Sequence, residues 1–280
     1  MAIRLDRLAT LYVFHPLAAR VGDGILRTPI LMYHSISDSG GARHPYYETA
    51  TSPERFAEQM RYLSELGYEA IRLSEAAEFL AQRRPGTVKP VVITFDDGYR
   101  DFYTRAFPVL ATYGFTANVF LPTAYIAESR ASFLGMECMN WREVRELDAA
   151  GIEFGSHTVN HPKLKDLDPE AVDQEVLRSK ATIEDKLGRA VSTFSYPFAF
   201  PETNRPFVER LRATLIRSGY QTGVSTVIGT AGPSQDRFFL PRLPVNSADD
   251  LILFKAKLDG GYDWLHGLQR LKKAAGGVAR

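Results

Sequence analysis

Two short stretches hold the residue types that could do chemistry together: Asp96-Asp97-Gly98 and His157-Thr-Val-Asn-His161. The aspartates end an apolar run, Val91-Val-Ile-Thr-Phe95, and Gly98 lets the chain turn away. Neighbouring residues on an extended segment point in opposite directions, so one carboxylate can face a cation while the other faces a substrate. Two imidazoles four positions apart converge on one ion from either a helical turn or a tight loop. With Asp97 they would supply two nitrogens and one oxygen, leaving positions open for water or substrate. Taken singly, Asp-Asp-Gly reads as a helix cap and a turn, and a His-x-x-x-His pair as a surface accident; together they favour a metal site.

Such groups need strands that end at one level. Val91–Phe95 is continuously apolar or β-branched, as in a strand buried on both faces. Pro29–His34 is a second such run and also ends in a titratable residue, His34, whose plainer reading is a strand-end histidine bonded to backbone. Further strands are expected at 70–73, 117–120, 193–197 and 219–227, with helices at 52–66, 74–83, 102–113, 168–187 and 208–218. Alternation of this kind predicts parallel strands with helical crossovers, and in a barrel the chemistry collects at the C-terminal ends of the strands.

Thr94-Phe-Asp-Asp-Gly98 and His157–His161 resemble the first two motifs of the polysaccharide deacetylases of the NodB-homology type, and the similarity runs from about Pro29 to about Asn246. The resemblance implies an α/β fold, a distorted (β/α) barrel in a single domain, and metal-dependent removal of acetyl groups from glycans. It divides the chain into an N-terminal extension (1–28), the deacetylase domain (29–258) and a basic amphipathic tail (259–280). Tyr33-His34 resembles the branch acting on the exopolysaccharide poly-N-acetylglucosamine, in which this histidine belongs to the active site. Trp141 resembles a tryptophan that helps wall the pocket in the family; core packing accounts for it equally well.

Two departures matter. The family's third motif is Arg-x-Pro-Tyr, whereas this chain has Ser195-Tyr-Pro197-Phe198, and the Leu-x-His expected near Phe239–Pro244 lacks its histidine. The missing arginine would orient the catalytic aspartate, and Arg242 is the candidate replacement, clamping Asp96 from another strand. Amide hydrolysis also needs an acid for the leaving group. Of the six histidines, His34 is the best placed for that role, with His44 second. The expected site is therefore Asp97, His157 and His161 on a divalent metal (zinc first; nickel, cobalt or manganese as alternatives), Asp96 as base, His34 as acid and Arg242 as clamp. Tyr46, Trp141, Pro197 and Phe198 are expected against substrate, with the Phe198 N–H as oxyanion donor.

The remainder of the sequence narrows the class. The 280 residues suit one large domain, and 45% hydrophobic content supports a packed core. Thirty-four basic residues against 33 acidic ones give no electrostatic footprint for nucleic acid. Cys138 is the sole cysteine, which excludes an internal disulfide and a thiolate cluster, and it reads as inert packing. Residues 122–139 make a long connection, expected to be a functional loop over the site mouth. The N-terminal extension reads as an amphipathic helix packed on the domain or lying at a membrane surface, and the tail as a helix docked on the barrel. No signal peptide is convincing, so the expected location is cytoplasmic or peripheral at the inner membrane, with periplasmic export as the alternative. Partners are an N-acetylated glycan and a peripheral membrane contact; the oligomeric state is unassigned. Two rival functions stand beside deacetylation: a non-catalytic glycan-binding module of the same fold, and a metal-dependent hydrolase of another bond. A phosphoesterase would call for more basic residues and often a second metal.

Overall fold

The computed structural model describes residues 4–17, 27–38, 48–82 and 89–278. Among these, seven parallel strands close a barrel: β1 (Ile30–Tyr33), β2 (Lys89–Phe95), β3 (Asn118–Leu121), β4 (Glu153–Ser156), β5 (Thr193–Ser195), β6 (Thr222–Ile228) and β7 (Leu240–Pro244). Neighbours run β1, β7, β6, β5, β4, β3, β2, and β2 pairs back onto β1; the short strand Tyr68–Ala70 pairs on the outside of β2. The strands are short and buried on both faces, which is why they read as apolar runs rather than alternating ones.

Alternation reappears inside the barrel. Ile30, Val92, Phe120, Val224 and Leu240 form a small separate cluster with Leu73, Ala76 and Leu80 of the helix Leu73–Gln82. That helix stops the end of the barrel where the strands begin, and the buried Asn118 side chain accepts its Leu73 N–H at 2.9 Å. Two residues further along β2 and β7 the same face carries Thr94 and Arg242, and Asp96 continues the series beyond β2. The lumen is thus apolar at the bottom and polar at the top, an ordering set by the strands' period of two. Gly155 on β4 keeps the lumen open: a Cβ there would lie 2.4 Å from Thr193 Oγ1 and 2.7 Å from the Phe120 ring. The larger core lies outside the barrel, under the helices.

Pairing fixes the levels. Tyr33 sits opposite Phe95, and the Asp96 N–H donates to the Tyr33 carbonyl at 3.0 Å, so His34 and Asp96 leave adjacent strands together. Ser156 pairs with both Leu121 and Phe194, bringing His157 and Ser195 to the same rim.

The expected strand at 70–73 is observed as Tyr68–Ala70, because Glu75 accepts the Arg72 N–H and starts the next helix there. β7 and the helix Leu251–Leu258 were not anticipated. Residues 122–139 are more ordered than expected: Ser132–Phe133 and Met136–Glu137 pair as a hairpin, with Leu134 and Gly135 both at positive φ in its turn. The N-terminal helix (Leu5–Ala9, continuing as a π-turn through Phe14) docks on the body. Arg4 reaches Asp249, Arg7 reaches Asp250, and Phe14 stacks on Trp264 with ring centroids 4.5 Å apart. No described helix is long and apolar enough to cross a membrane.

Candidate active site

Both oxygens of the Asp96 carboxylate are held by the protein. Arg242, with 0% exposure, reaches across the lumen and donates to Asp96 Oδ1 and Oδ2, each at 2.8 Å. Its other donors go to the Ser225 carbonyl (3.0 Å), Thr94 Oγ1 (3.1 Å) and Ser195 Oγ (3.1 Å), so all five guanidinium N–H groups have an acceptor. Ser195 Oγ also donates to Asp96 Oδ1 at 3.2 Å. Burial by itself would raise the Asp96 pKa, but the facing guanidinium more than reverses this and holds the group well below the usual carboxylate range. The pairing expected between Arg242 and Asp96 is formed. Ser195, which stands where the third motif usually carries arginine, fills the vacated corner with a hydroxyl.

Asp97 lives differently. β2 ends at Phe95, so Asp97 is not extended as the sequence suggested; its φ is +71°. The two carboxylates diverge because of that turn. Asp97 is buried, and its Oδ1 has no hydrogen-bond partner among the described residues. Burial first, then the neighbouring Asp96 charge, push its pKa up to about 7. His161 Nε2 lies 3.4 Å and His157 Nε2 3.7 Å from that same oxygen.

The two histidines are held for ligation. His157 Nδ1 bonds the Ser195 carbonyl at 2.8 Å; that acceptor places the proton on Nδ1 and turns the Nε2 lone pair toward Asp97. Burial lowers the His157 pKa to about 3 and also lowers that of His161, so both rings are neutral, as ligands must be. Thr158 and His161 have φ of +70° and +53°, a conformation unfavourable for residues with a side chain, and it bends the loop back so that both rings face one point. The Thr158 and Val159 carbonyls accept N–H groups from Thr123 and Ala124, fixing the loop on its inner side.

A divalent cation fits this donor set. The three ligand atoms lie within 4.8 Å of one another. Tetrahedral ligands at bond lengths of ~2.1 Å stand about 3.4 Å apart, close to the two spacings measured from Asp97 Oδ1. The oxygen without a partner and the raised Asp97 pKa both mark a place that positive charge would stabilise.

Around this centre, His34 Nε2 stands 3.9 Å from Asp96 Oδ2, its side chain 22% exposed and its pKa lowered, chiefly by burial. Phe198 is 44% exposed, and its ring covers His161 at 4.6 Å between centroids. Phe133, from the hairpin, packs on His161 at 5.1 Å; nothing in the sequence singled it out. Phe198 has φ +59° and Thr226 braces it: the Thr226 hydroxyl donates to the Phe198 carbonyl (2.8 Å) and accepts the Phe200 N–H (2.9 Å). Gln269 of the C-terminal helix (Leu265–Val278) holds the Thr226 carbonyl (2.8 Å) and the Ile228 N–H (3.1 Å), so the tail docks, as expected, against β6. Among the described residues, no acceptor takes the Phe198 N–H.

Two expected substrate contacts are not formed this way. Trp141 is 3% exposed inside the main core, where it opens the helix Trp141–Ala149; it packs and offers no ring face to a sugar. Pro197 is buried, immediately before the exposed Phe198. Tyr46 and His44 lie outside the described residues.

Comparison with known proteins points one way. The polysaccharide deacetylase family model matches residues 83–218. YxkH of Bacillus subtilis (strain 168), named as a polysaccharide deacetylase, is 33% identical over 220 residues, covering 79% of this chain and 72% of YxkH. The chain belongs to the polysaccharide deacetylase family. The poly-beta-1,6-N-acetyl-D-glucosamine N-deacetylase of Escherichia coli (strain K12) is 32% identical over 140 residues, which are 46% of this chain and only 20% of that enzyme. In structure, the Streptococcus pyogenes deacetylase PplD, solved in complex with acetate, superposes with a TM-score of 0.72 over 84% of this chain and 99% of PplD, at 24% identity, and supports the barrel fold. As a polysaccharide deacetylase, the protein is a hydrolase of acetylated glycans with a site built for a divalent metal.

Proposed function

We propose that the protein removes the N-acetyl group from glucosamine units of a polysaccharide, with Asp97, His157 and His161 holding zinc and Asp96 acting as general base. The observation that carries this reading is the pair of adjacent carboxylates in opposite states: Asp96 fully paired with Arg242, and Asp97 facing two neutral imidazoles.

Zinc, when bound, would polarise the acetyl carbonyl and make a nearby water more acidic. The protein's own groups do the rest. Arg242 keeps Asp96 ionised and fixes both its oxygens, so the carboxylate meets the water without reorganising. Asp96 accepts the water proton as the oxygen attacks the acetyl carbon. The Phe198 N–H supplies a donor to the developing oxyanion; loss of one such donor costs on the order of 3 kcal/mol in other hydrolases. His34 is neutral at rest, and at 3.9 Å from Asp96 Oδ2 it can receive the proton and return it to the departing nitrogen. The carbon–nitrogen bond breaks, giving acetate and the free amine, and the Phe198 ring lies against the substrate beside His161.

The name of the Escherichia coli relative favours a β-1,6-linked N-acetylglucosamine polymer as substrate. The test is acetate release from N-acetylated β-1,6-linked glucosamine oligomers, alongside β-1,4-linked ones, before and after chelation. Release that stops on chelation and returns best with zinc supports the reading. Release unaffected by exhaustive chelation, or none from any N-acetylated oligomer, refutes it.

A further inference from the structure

The loop between the two histidines is gripped from outside by a single carboxylate. Glu175 lies in the second turn of the helix Pro169–Leu187. Its Oε2 accepts the Val159 N–H at 2.8 Å and the Asn160 N–H at 2.9 Å, and its Oε1 accepts Asn160 Nδ2 at 2.6 Å. Those two peptide groups lie within the four-residue step from His157 to His161. Hydrogen bonds to an ionised acceptor are roughly twice as strong as neutral ones, and here three converge on one side chain.

The grip has something to resist. Thr158 and His161 both sit in the left-handed region. Such residues persist only where their surroundings over-determine them. Inside the loop, the His161 N–H donates to Thr158 Oγ1 at 3.0 Å, and the His161 ring bonds its own backbone. Everything else comes from neighbours. Ser156 Oγ accepts the Thr158 N–H at 3.2 Å and is itself joined to Ser179 Oγ at 2.6 Å, one helical turn beyond Glu175. One helix therefore props both ends of the loop, at Ser179 near His157 and at Glu175 before His161.

We propose that Glu175 is a positioning residue that sets the site's affinity for its divalent cation, by fixing the approach of His161 to His157 and Asp97 without touching the ion. This rests on the reading of Asp97, His157 and His161 as ligands. His161 is the ligand most dependent on such support: His157 is pinned by the Ser195 carbonyl of another strand and sits directly after β4, whereas the His161 ring is tied to its own backbone, which moves with the loop.

The test is the zinc dissociation constant of the full chain, stripped of metal and titrated against a chromophoric chelator, with the melting temperature of the metal-free protein measured in parallel. Glu175→Ala is expected to bind zinc about 10- to 100-fold more weakly, the range found when groups supporting a metal ligand are lost. Glu175→Gln retains an acceptor for the backbone N–H groups and is expected to recover most of that loss. Asn160→Ala, an exposed position that cannot endanger the core, is expected to weaken binding less than Glu175→Ala. Zinc affinity of Glu175→Ala within threefold of the parent, or a fall in melting temperature with affinity retained, overturns the proposal. If Glu175→Ala does not fold, Asn160→Ala decides, and parental zinc affinity in that variant overturns the proposal. A His157→Ala/His161→Ala double variant separates the two readings: if it binds zinc like the parent, the ligand assignment fails and this inference with it. If only the Glu175 and Asn160 variants bind like the parent, this inference fails alone.

Discussion

Asp96 and Asp97 share a peptide bond and almost nothing else. Asp96 faces the lumen, where two donors of a buried guanidinium and a serine hydroxyl complete it from within the chain. Asp97 turns out through a left-handed residue into a cluster of neutral imidazoles that cannot balance its charge. One acid is pushed down in pKa and the other up to about 7. Protein groups can finish a site that must stay charged and rigid, whereas a site meant for an ion keeps an acceptor unmatched.

The largest effect should come from breaking the first half of this contrast. Arg242→Met leaves Asp96 buried without a counter-charge, a change that costs about 3–5 kcal/mol in comparable pairs. Urea unfolding should register that loss, and acetate release should fall to background; parental stability would show that the lumen tolerates a bare carboxylate.

Next comes the second half. Asp97→Asn should abolish zinc retention, read by elemental analysis, while leaving the metal-free fold intact. In the stripped parent, the raised Asp97 pKa means the folded state holds a proton that the unfolded chain releases near pH 4. Folding stability from this group therefore declines as pH rises from about 4 to about 7. The melting temperature of stripped Asp97→Asn should lack that decline, and bound zinc should cancel it in the parent. Identical pH profiles for stripped parent and variant would remove the supposed strain on Asp97.

Two smaller perturbations sharpen the comparison at its rim. Thr226→Val removes the hydroxyl that braces Phe198; turnover should drop about tenfold, with stability changed by about 1 kcal/mol and Thr226→Ser restoring the rate. Phe198→Tyr, which restores the residue usual in the third motif, should change turnover by less than about threefold, because the ring and its place over His161 are kept. A tenfold change would give the ring edge a role beyond covering the histidine.

The strands that deliver acids and bases were legible because each is an apolar run ending abruptly in a titratable residue, as at Val91–Asp96 and Pro29–His34. β7 was hidden by Pro241 and Pro244, which look like breakers although the strand is in place. Arg242 was found from the absence of its usual counterpart; Ser195 was recorded only as a substitution, since a lone serine carries no signal of a buried network. Glu175 lies 15 positions beyond Asn160 in the loop it holds, on a helix whose pattern reports packing and not reach. Phe133 belongs to a hairpin of two-residue strands, too short for periodicity to register. Left-handed backbone at Asp97, Thr158, His161 and Phe198 is equally invisible, because none is glycine and only tertiary contacts impose it.

The lumen's period of two has an evolutionary corollary. Arg242 on β7 projects a guanidinium onto a carboxylate that leaves the top of β2, so the donor to the base need not come from the third-motif segment for the electrostatics to stay put. A linear signature would score such a relocation as decay, whereas a template built on charge positions would recognise an intact catalyst. A family member that lacks the third-motif arginine therefore merits a search of the remaining walls before its base is judged unsupported.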